Sequence, residues 1–153
     1  MTDYEHIFFD PDGLNPEEAA LVLARTLQMR YVKNEHGHLI GHEWTDGQGK
    51  HVVGGDIDTN IFVTGPEDGP GAFSIMDDYP LVWSLTKRIA ADRDEPRKFA
   101  LDIFRALAES DLGWSMALTT SFDWVIATYD VERGLRIFPP RTSPEEDGAH
   151  LWR

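Results

Sequence analysis

Two features are missing from this sequence: it contains no cysteine, and it contains no long hydrophobic run. The absence of cysteine excludes disulfide bonds, thiolate metal sites and thiol catalysis. No stretch approaches the roughly 18 consecutive apolar residues that suggest a membrane-spanning helix. The first six residues are acidic and lack the basic and apolar regions of a signal peptide. We therefore expect a cytoplasmic protein that does not enter a membrane.

Basic residues are scarce as well, and they are unevenly placed along the chain. There are 14 lysines and arginines against 27 acidic residues, which gives a net charge of −13. Residues 1–86 hold 15 of the acids and only 4 of the bases. Such a charge repels nucleic acid and anionic membranes and attracts a basic partner. High solubility alone is the other explanation for it.

The length and the apolar content indicate one globular domain. At 153 residues, with 41% hydrophobic residues, the chain is long enough to bury a core of its own. We assign residues 1–140 to this single domain. Residues 141–153 are interpreted as a polar C-terminal tail, although Leu151 and Trp152 could dock on a surface.

Helical spacing of apolar residues occurs twice. Asn15 is a favoured N-cap residue, Pro16 suits the first helical position, and Glu18 occupies the reciprocal position of a capping box. The apolar residues that follow predict a helix over residues 16–28. A second helix is predicted to begin at residues 94–96 and to end before Gly113.

Elsewhere the apolar residues alternate, as they do in strands, and clusters of turn residues separate them. The predicted strands are 4–9, 30–33, 39–44, 51–54, 60–63, 73–76, 81–87, 114–119, 124–130 and 135–138, with a turn at 55–58. Residues 81–87 could instead be helical, but Pro80 and the alternation favour a strand. Because parallel strands need long crossovers, this spacing indicates antiparallel hairpins. The predicted fold is α+β: a largely antiparallel sheet of about 7–9 strands with two main amphipathic helices on one face.

One short stretch suggests phosphoryl transfer. Asp10-Pro11-Asp12-Gly13 follows a strand, and this resembles the first motif of the haloacid-dehalogenase-like phosphatases. The resemblance implies Asp10 as nucleophile and Asp12 as acid/base beside Mg²⁺, with the stretch 55–60 as a later metal-binding motif. Leu14 and Asn15 stand where that family has Thr and Leu. The other interpretation is structural, since Asp12 and Asn15 also suit a turn that begins a helix.

Three histidines, His36, His38 and His42, form a possible metal site. Alternate residues of a strand share a face, so the imidazoles of His38 and His42 would point the same way, with His36 at the adjacent turn. Two or three imidazoles on one face could bind Zn²⁺ or Ni²⁺. A solvated hairpin face is the alternative, and we expect neither a metal nor another cofactor.

The predicted turns of the acidic half combine carboxylates with aromatic residues. This combination suits a basic protein partner, since aromatics supply buried area and carboxylates accelerate encounter. The predicted partner-binding residues are Trp44, Asp46, Asp56, Asp58, Glu67, Asp68, Asp77, Asp78 and Tyr79. In its size, its acidity and its lack of a convincing catalytic motif, the chain is similar to small bacterial toxin-immunity proteins. That resemblance implies a non-catalytic protein that neutralises a basic toxin.

Overall fold

The computed structural model describes residues 5–35, 37–46, 49–88 and 95–153, with the backbone alone at 34, 42–46, 49–53, 86–88 and 95–98. This part of the chain forms one antiparallel sheet of eight strands with helices packed on it. The α+β class and the predicted number of strands are therefore confirmed. None of the described helices is long and apolar enough to cross a membrane.

The first strand lies near the middle of the sheet. The strands are β1 (Glu5–Asp10), β2 (Arg30–Asn34), β3 (Gly37–Asp46), β4 (Gly49–Thr59), β5 (Leu81–Arg88), β6 (Ser115–Thr120), β7 (Trp124–Asp130) and β8 (Gly134–Ile137). Their order across the sheet is β2-β3-β4-β5-β1-β6-β7-β8, and every neighbouring pair is antiparallel. The strand predicted over residues 81–87 is confirmed as β5.

Hydrogen bonds between residues close in sequence determine where the first helix begins. Helix α1 spans Pro16–Leu27. The amide of Glu18 donates to Oδ1 of Asn15 at 2.8 Å, and the amide of Asn15 donates to Oε1 of Glu18 at 3.1 Å. This is the predicted capping box, which satisfies two amides that the helix leaves without partners. The second helix, α2, spans Glu95–Glu109, also as predicted.

Both helices pack on one face of the sheet. Ile7 and Phe9 of β1 and Trp83 of β5 are fully buried beneath them. Nε1 of Trp83 donates to the carbonyl of Gly55 at 3.0 Å, so its one polar atom is satisfied within the core. Burying an aliphatic or aromatic side chain of this size contributes about 1.5–3 kcal/mol. The prediction of two helices on one face is confirmed.

The opposite face of the sheet has a smaller core, covered by irregular chain. Phe8 lies between Val82 and Ala117 on the neighbouring strands, and all three are buried. Residues 60–80 and 139–153 cover them, the latter including the short helix α3 (Ala149–Trp152). The segment interpreted as a polar tail thus packs on the sheet: Trp152 is 4% exposed, whereas Leu151 is 38% exposed.

Two of the predicted strands do not form. Residues 60–63 have no regular secondary structure, and residues 73–76 contribute only an isolated bridge at Ser74 before a 3₁₀ turn, Ile75–Asp78. A second 3₁₀ turn spans Pro66–Asp68. Side-chain hydrogen bonds to the backbone replace the strand pairing that the sequence suggested, as Asn and Asp often do in loops.

The predicted turn at residues 55–58 is also wrong, because these residues lie inside β4. A Cβ atom on Gly55 would lie 1.6 Å from the carbonyl oxygen of Ser84 on β5. Glycine is needed here because two backbones approach closely, which is a recognised role for glycine within a strand. Asp56 and Asp58 are consequently strand residues.

Candidate functional site

Residues 60–80 form the segment between β4 and β5. The side chain of Asn60, at its start, hydrogen-bonds to the backbone near its end. Its Nδ2 donates to the carbonyl oxygens of Met76 and Tyr79, both at 2.8 Å. Its Oδ1 accepts from the amide of Phe62 at 2.9 Å. Asn60 is buried, so these bonds satisfy its amide group and hold the two ends of the segment together.

Asp77 fixes the middle of the same segment. Its two carboxylate oxygens accept from the amides of Thr64 at 2.6 Å and Ser74 at 2.9 Å. Burial raises the pKa of Asp77, but hydrogen bonds from Thr64 and Ser74 outweigh burial and place the pKa below its ordinary value. One of the predicted partner-binding carboxylates therefore has a structural role.

The C-terminal segment, residues 139–153, lies against the segment 60–80. The amide of Ile75 donates to the carbonyl of Pro144 at 2.7 Å, and Ser74 forms an isolated antiparallel bridge with Glu145. Nε1 of Trp152 donates to the carbonyl of Ser143 at 2.8 Å. Backbone pairing and an anchored indole thus bring together residues that are some 70 positions apart in the sequence.

A cleft of about 250 Å³ lies where the two segments meet. Its apolar lining comes from Phe62, Val63, Ala72, Phe73 and Met76, and its polar lining from Thr64, Asp68, Ser74, Glu145 and Glu146. We call this the acidic cleft. No lysine, arginine or histidine of the described residues forms an ion pair with its three carboxylates.

The two stretches of chain that form the acidic cleft carry carboxylates and no bases, while the guanidinium of Arg153, from outside these stretches, lies on the ring of Phe73. Residues 55–85 contain six acids and no lysine, arginine or histidine: Asp56, Asp58, Glu67, Asp68, Asp77 and Asp78. Residues 142–149 contain three more and again no base: Glu145, Glu146 and Asp147. All of these are exposed. Folding therefore adds the acids of the C-terminal segment to those of the first half of the chain.

The chain was compared with models of known protein families, with curated proteins and with solved structures. None of them matches it. Its function is therefore inferred from the chemistry of its own surface.

The predicted partner-binding residues fall into three groups. Glu67, Asp68, Asp77 and Asp78 lie together in the segment 60–80. Asp56 and Asp58 lie on β4, paired with Ser84 and Val82, and face away from α1 and α2 because Ile57 between them faces the helices. Trp44 and Asp46 belong to β3, but their side chains lie outside the described residues.

Tyr79, the remaining predicted partner-binding residue, is partly buried against the smaller core. Burial raises its pKa to about 12, and the negative charges of Asp78 and Asp130 act in the same direction. Its phenol therefore stays protonated at neutral pH. Tyr79 contributes packing beneath the acidic surface, and exposed anchors must come from other residues.

Sequence reasoning missed Glu145, Glu146 and the aromatic rings of Phe62 and Phe73. The run Pro144-Glu145-Glu146-Asp147 was the available signal for the two glutamates. Its polar composition near a chain end instead predicts a tail. Phe62 and Phe73 belong to the predicted strands 60–63 and 73–76, which do not form.

Asp10 and Asp12 form the turn that precedes α1. The amide of Asp12 donates to Oδ1 of Asp10 at 3.0 Å, and Asp12 has a left-handed backbone with φ of 54°. The stretch 55–60 of the phosphatase resemblance begins inside β4, and β5 separates it from β1. The sheet that carries both is antiparallel, whereas the phosphatase motif belongs at the end of a parallel strand.

The predicted metal site is only partly described. Nδ1 of His38 lies 2.7 Å from the hydroxyl of Tyr31, and Ile40 beside it is fully buried. His36 and the side chain of His42 lie outside the described residues. Within the described chain, no three His, Asp or Glu side chains are grouped so as to hold a metal ion.

His6 on β1 is a buried titratable residue that the sequence analysis does not single out. Its ring stacks on Phe122 at 4.5 Å and lies 5.8 Å from Phe62, between ring centroids. Its Nδ1 lies 3.1 Å from Oγ of Ser84. Burial lowers the pKa of His6 from 6.5 to about 4. The imidazole is therefore neutral at pH 7 and belongs to the core that supports the cleft.

Proposed function

We propose that this chain is a non-catalytic cytoplasmic protein that binds and neutralises a basic protein partner, as the immunity protein of a toxin–immunity pair does. The observation that carries the proposal is the meeting of residues 55–85 with residues 142–149, two stretches that together hold nine carboxylates and no base. These stretches are distant in sequence and meet through backbone hydrogen bonds.

The sign and the density of this charge favour a partner of opposite charge. Complementary charges steer diffusional encounter and raise association rates, and they reject partners of like charge. The nine exposed carboxylates of these two stretches would repel RNA, DNA and anionic lipid. A basic protein is the macromolecule that this surface suits best.

Apolar residues beside the carboxylates supply the second requirement of a protein interface. Ile61 is 76% exposed and Val63 is 53% exposed, both in the segment that carries Glu67 and Asp68. Interfaces combine buried apolar anchors with a polar rim. Ile61 and Val63 can act as anchors where the sequence suggested Trp44 and Tyr79.

The test is the salt dependence of association with a basic partner. The first candidate is the product of any toxin-like reading frame immediately upstream, co-expressed and recovered through a tag on this chain. If carboxylates steer the encounter, the association rate constant falls steeply as the salt concentration rises from low to physiological levels. The dissociation rate constant should change much less.

A matched pair of variants locates the surface. The cleft variant combines Glu145→Gln and Glu146→Gln, which line the cleft, with Glu67→Gln next to Asp68. The control variant combines Glu109→Gln, Asp111→Asn and Glu132→Gln, and all six positions are exposed. Both sets remove three negative charges, so only position differs. The cleft variant should slow association and flatten its salt dependence, while the control should change both less. Equal effects of the two variants, or a rate that ignores salt, would contradict the proposal.

A further inference from the structure

We infer that the acidic cleft receives an arginine side chain of the basic partner. This inference rests on the proposed function and makes it specific, because it names the group that is recognised and the place where it binds. The cleft joins two aromatic residues to three carboxylates that form no ion pair with a described base, in a space suited to one side chain. Each of these three properties favours a guanidinium group.

Aromatic rings form part of the cleft wall. Phe62 and Phe73 both line it. The chain already places a guanidinium on one of these rings, since Cζ of Arg153 lies 4.6 Å from the ring centroid of Phe73. That distance is within the roughly 6 Å at which a cation is attracted to an aromatic face. The ring of Phe73 is thus able to hold a guanidinium, and a partner's arginine would stack on the other face of this ring or replace Arg153 on it.

Three carboxylates, those of Asp68, Glu145 and Glu146, line the cleft. No described base forms an ion pair with any of them, although the guanidinium of Arg153 lies on the ring of Phe73. Three negative charges around one cleft attract a cation. An apolar compound would gain nothing from these charges, and an anion would be repelled by them.

The size of the cleft and the shape of the ligand decide between the possible cations. A volume of about 250 Å³ is slightly below the usual range of small-molecule pockets, about 300–1,000 Å³, and suits a single side chain. Arginine is planar, stacks on aromatic rings and pairs with carboxylates through two parallel hydrogen bonds. Lysine is a compact, strongly hydrated charge without a flat face. The cleft therefore favours arginine.

The experiment titrates N-acetyl-arginine methylamide, and in parallel N-acetyl-lysine methylamide, into the isotope-labelled full chain while amide NMR shifts are followed. Shifts should concentrate at residues 62–76 and 145–146. Arginine should bind about two- to fivefold more tightly than lysine, which is the ratio that a cation–π contact supplies. Shifts spread over all acidic loops, or equal affinities for the two compounds, would overturn the inference.

Two variants test the space inside the cleft and the charge of its lining separately. Ala72→Phe fills it without changing charge, and it should abolish the localised shifts. The double variant Glu145→Gln with Glu146→Gln should weaken arginine binding about two- to tenfold, as expected for partly exposed ion pairs. The matched control, Glu109→Gln with Asp111→Asn, should leave it unchanged. Amide shifts far from the cleft show whether each variant is folded.

The two proposals fail in different ways. If Ala72→Phe leaves arginine binding unchanged while association with the partner stays salt-dependent, the cleft assignment is wrong and the acidic-surface proposal stands. If arginine binds in the cleft but the partner's association rate ignores both salt and the cleft charges, the proposed function fails and the cleft remains an arginine site.

Discussion

Acidification should destabilise this protein through His6. The imidazole is 5% exposed and lies among aromatic rings, with Phe122 stacked on it at 4.5 Å. Placing a charge there costs free energy because the surroundings solvate it poorly. Burial accordingly lowers the pKa of His6 in the folded protein to about 4, against 6.5 for an ordinary histidine.

The direction and the size of the effect follow from these two pKa values. Between pH 6.5 and pH 4 the unfolded chain binds a proton at His6 and the folded chain does not, so the free energy of unfolding falls as the pH falls. Each unit of pKa difference corresponds to about 1.4 kcal/mol. The loss should reach about 2 kcal/mol at pH 5 and about 3 kcal/mol at pH 4.

Urea unfolding at a series of pH values between 7 and 4 measures this loss. Other groups titrate in the same range, so the wild type is compared with His6→Phe, which keeps an aromatic ring but cannot take up a proton. Between pH 7 and pH 4, the free energy of unfolding of the wild type should fall by about 3 kcal/mol more than that of His6→Phe. The exposed His150 provides the control variant, His150→Gln. Parallel curves for wild type and His6→Phe would refute the burial argument.

Two further predictions concern stability at neutral pH, both measured by urea unfolding. Trp152→Ala should lower the free energy of unfolding by about 3–5 kcal/mol because a buried indole is lost, whereas the neighbouring Leu151→Ala should cost less than about 1 kcal/mol. Similar small costs for both would mean that the C-terminal segment does not anchor on the sheet. Asn15→Ala should cost about 0.5–2 kcal/mol through loss of the helix cap, and an unchanged midpoint would contradict the capping role.

The sequence predicted those parts of the fold whose causes are local. Asn15 and Glu18 are three residues apart, and together they cap α1 with no help from the rest of the chain. Residues 81–87 alternate between the two faces of the sheet, and alternation needs only the strand itself. The fold class, both main helices and eight strands therefore followed from short-range patterns.

The parts that the sequence did not predict depend on residues far apart in the chain. Asn60 hydrogen-bonds to Met76 and Tyr79, and those bonds replace a strand that residues 60–63 would suit by composition. Gly55 is needed because the carbonyl of Ser84, 29 positions later, lies against it. Neither contact leaves a periodic signal in the sequence, so local patterns favoured a strand in one case and a turn in the other.

The sequence predicted only part of the candidate site, because the rest of the site also depends on contacts between residues far apart in the chain. Glu67 and Asp68 stand out in an acidic turn and lie where the acidic surface forms. Glu145 and Glu146 join them only because β-bridge pairing at Ser74 and the docking of Trp152 bring the C-terminal segment back over the sheet. Interactions of this range are not visible in composition.

The carboxylates of the surface divide into two kinds, and this division determines which substitutions are informative. Asp77 accepts hydrogen bonds from Thr64 and Ser74, and Asp68 accepts one from Gly65 at 2.9 Å, so replacing either residue disturbs the segment as well as its charge. Among the described residues, none donates a hydrogen bond to the carboxylate of Glu145 or Glu146. A loss of binding on their replacement is therefore a loss of charge at the cleft, whereas the same loss at Asp77 would also follow from a rearranged loop.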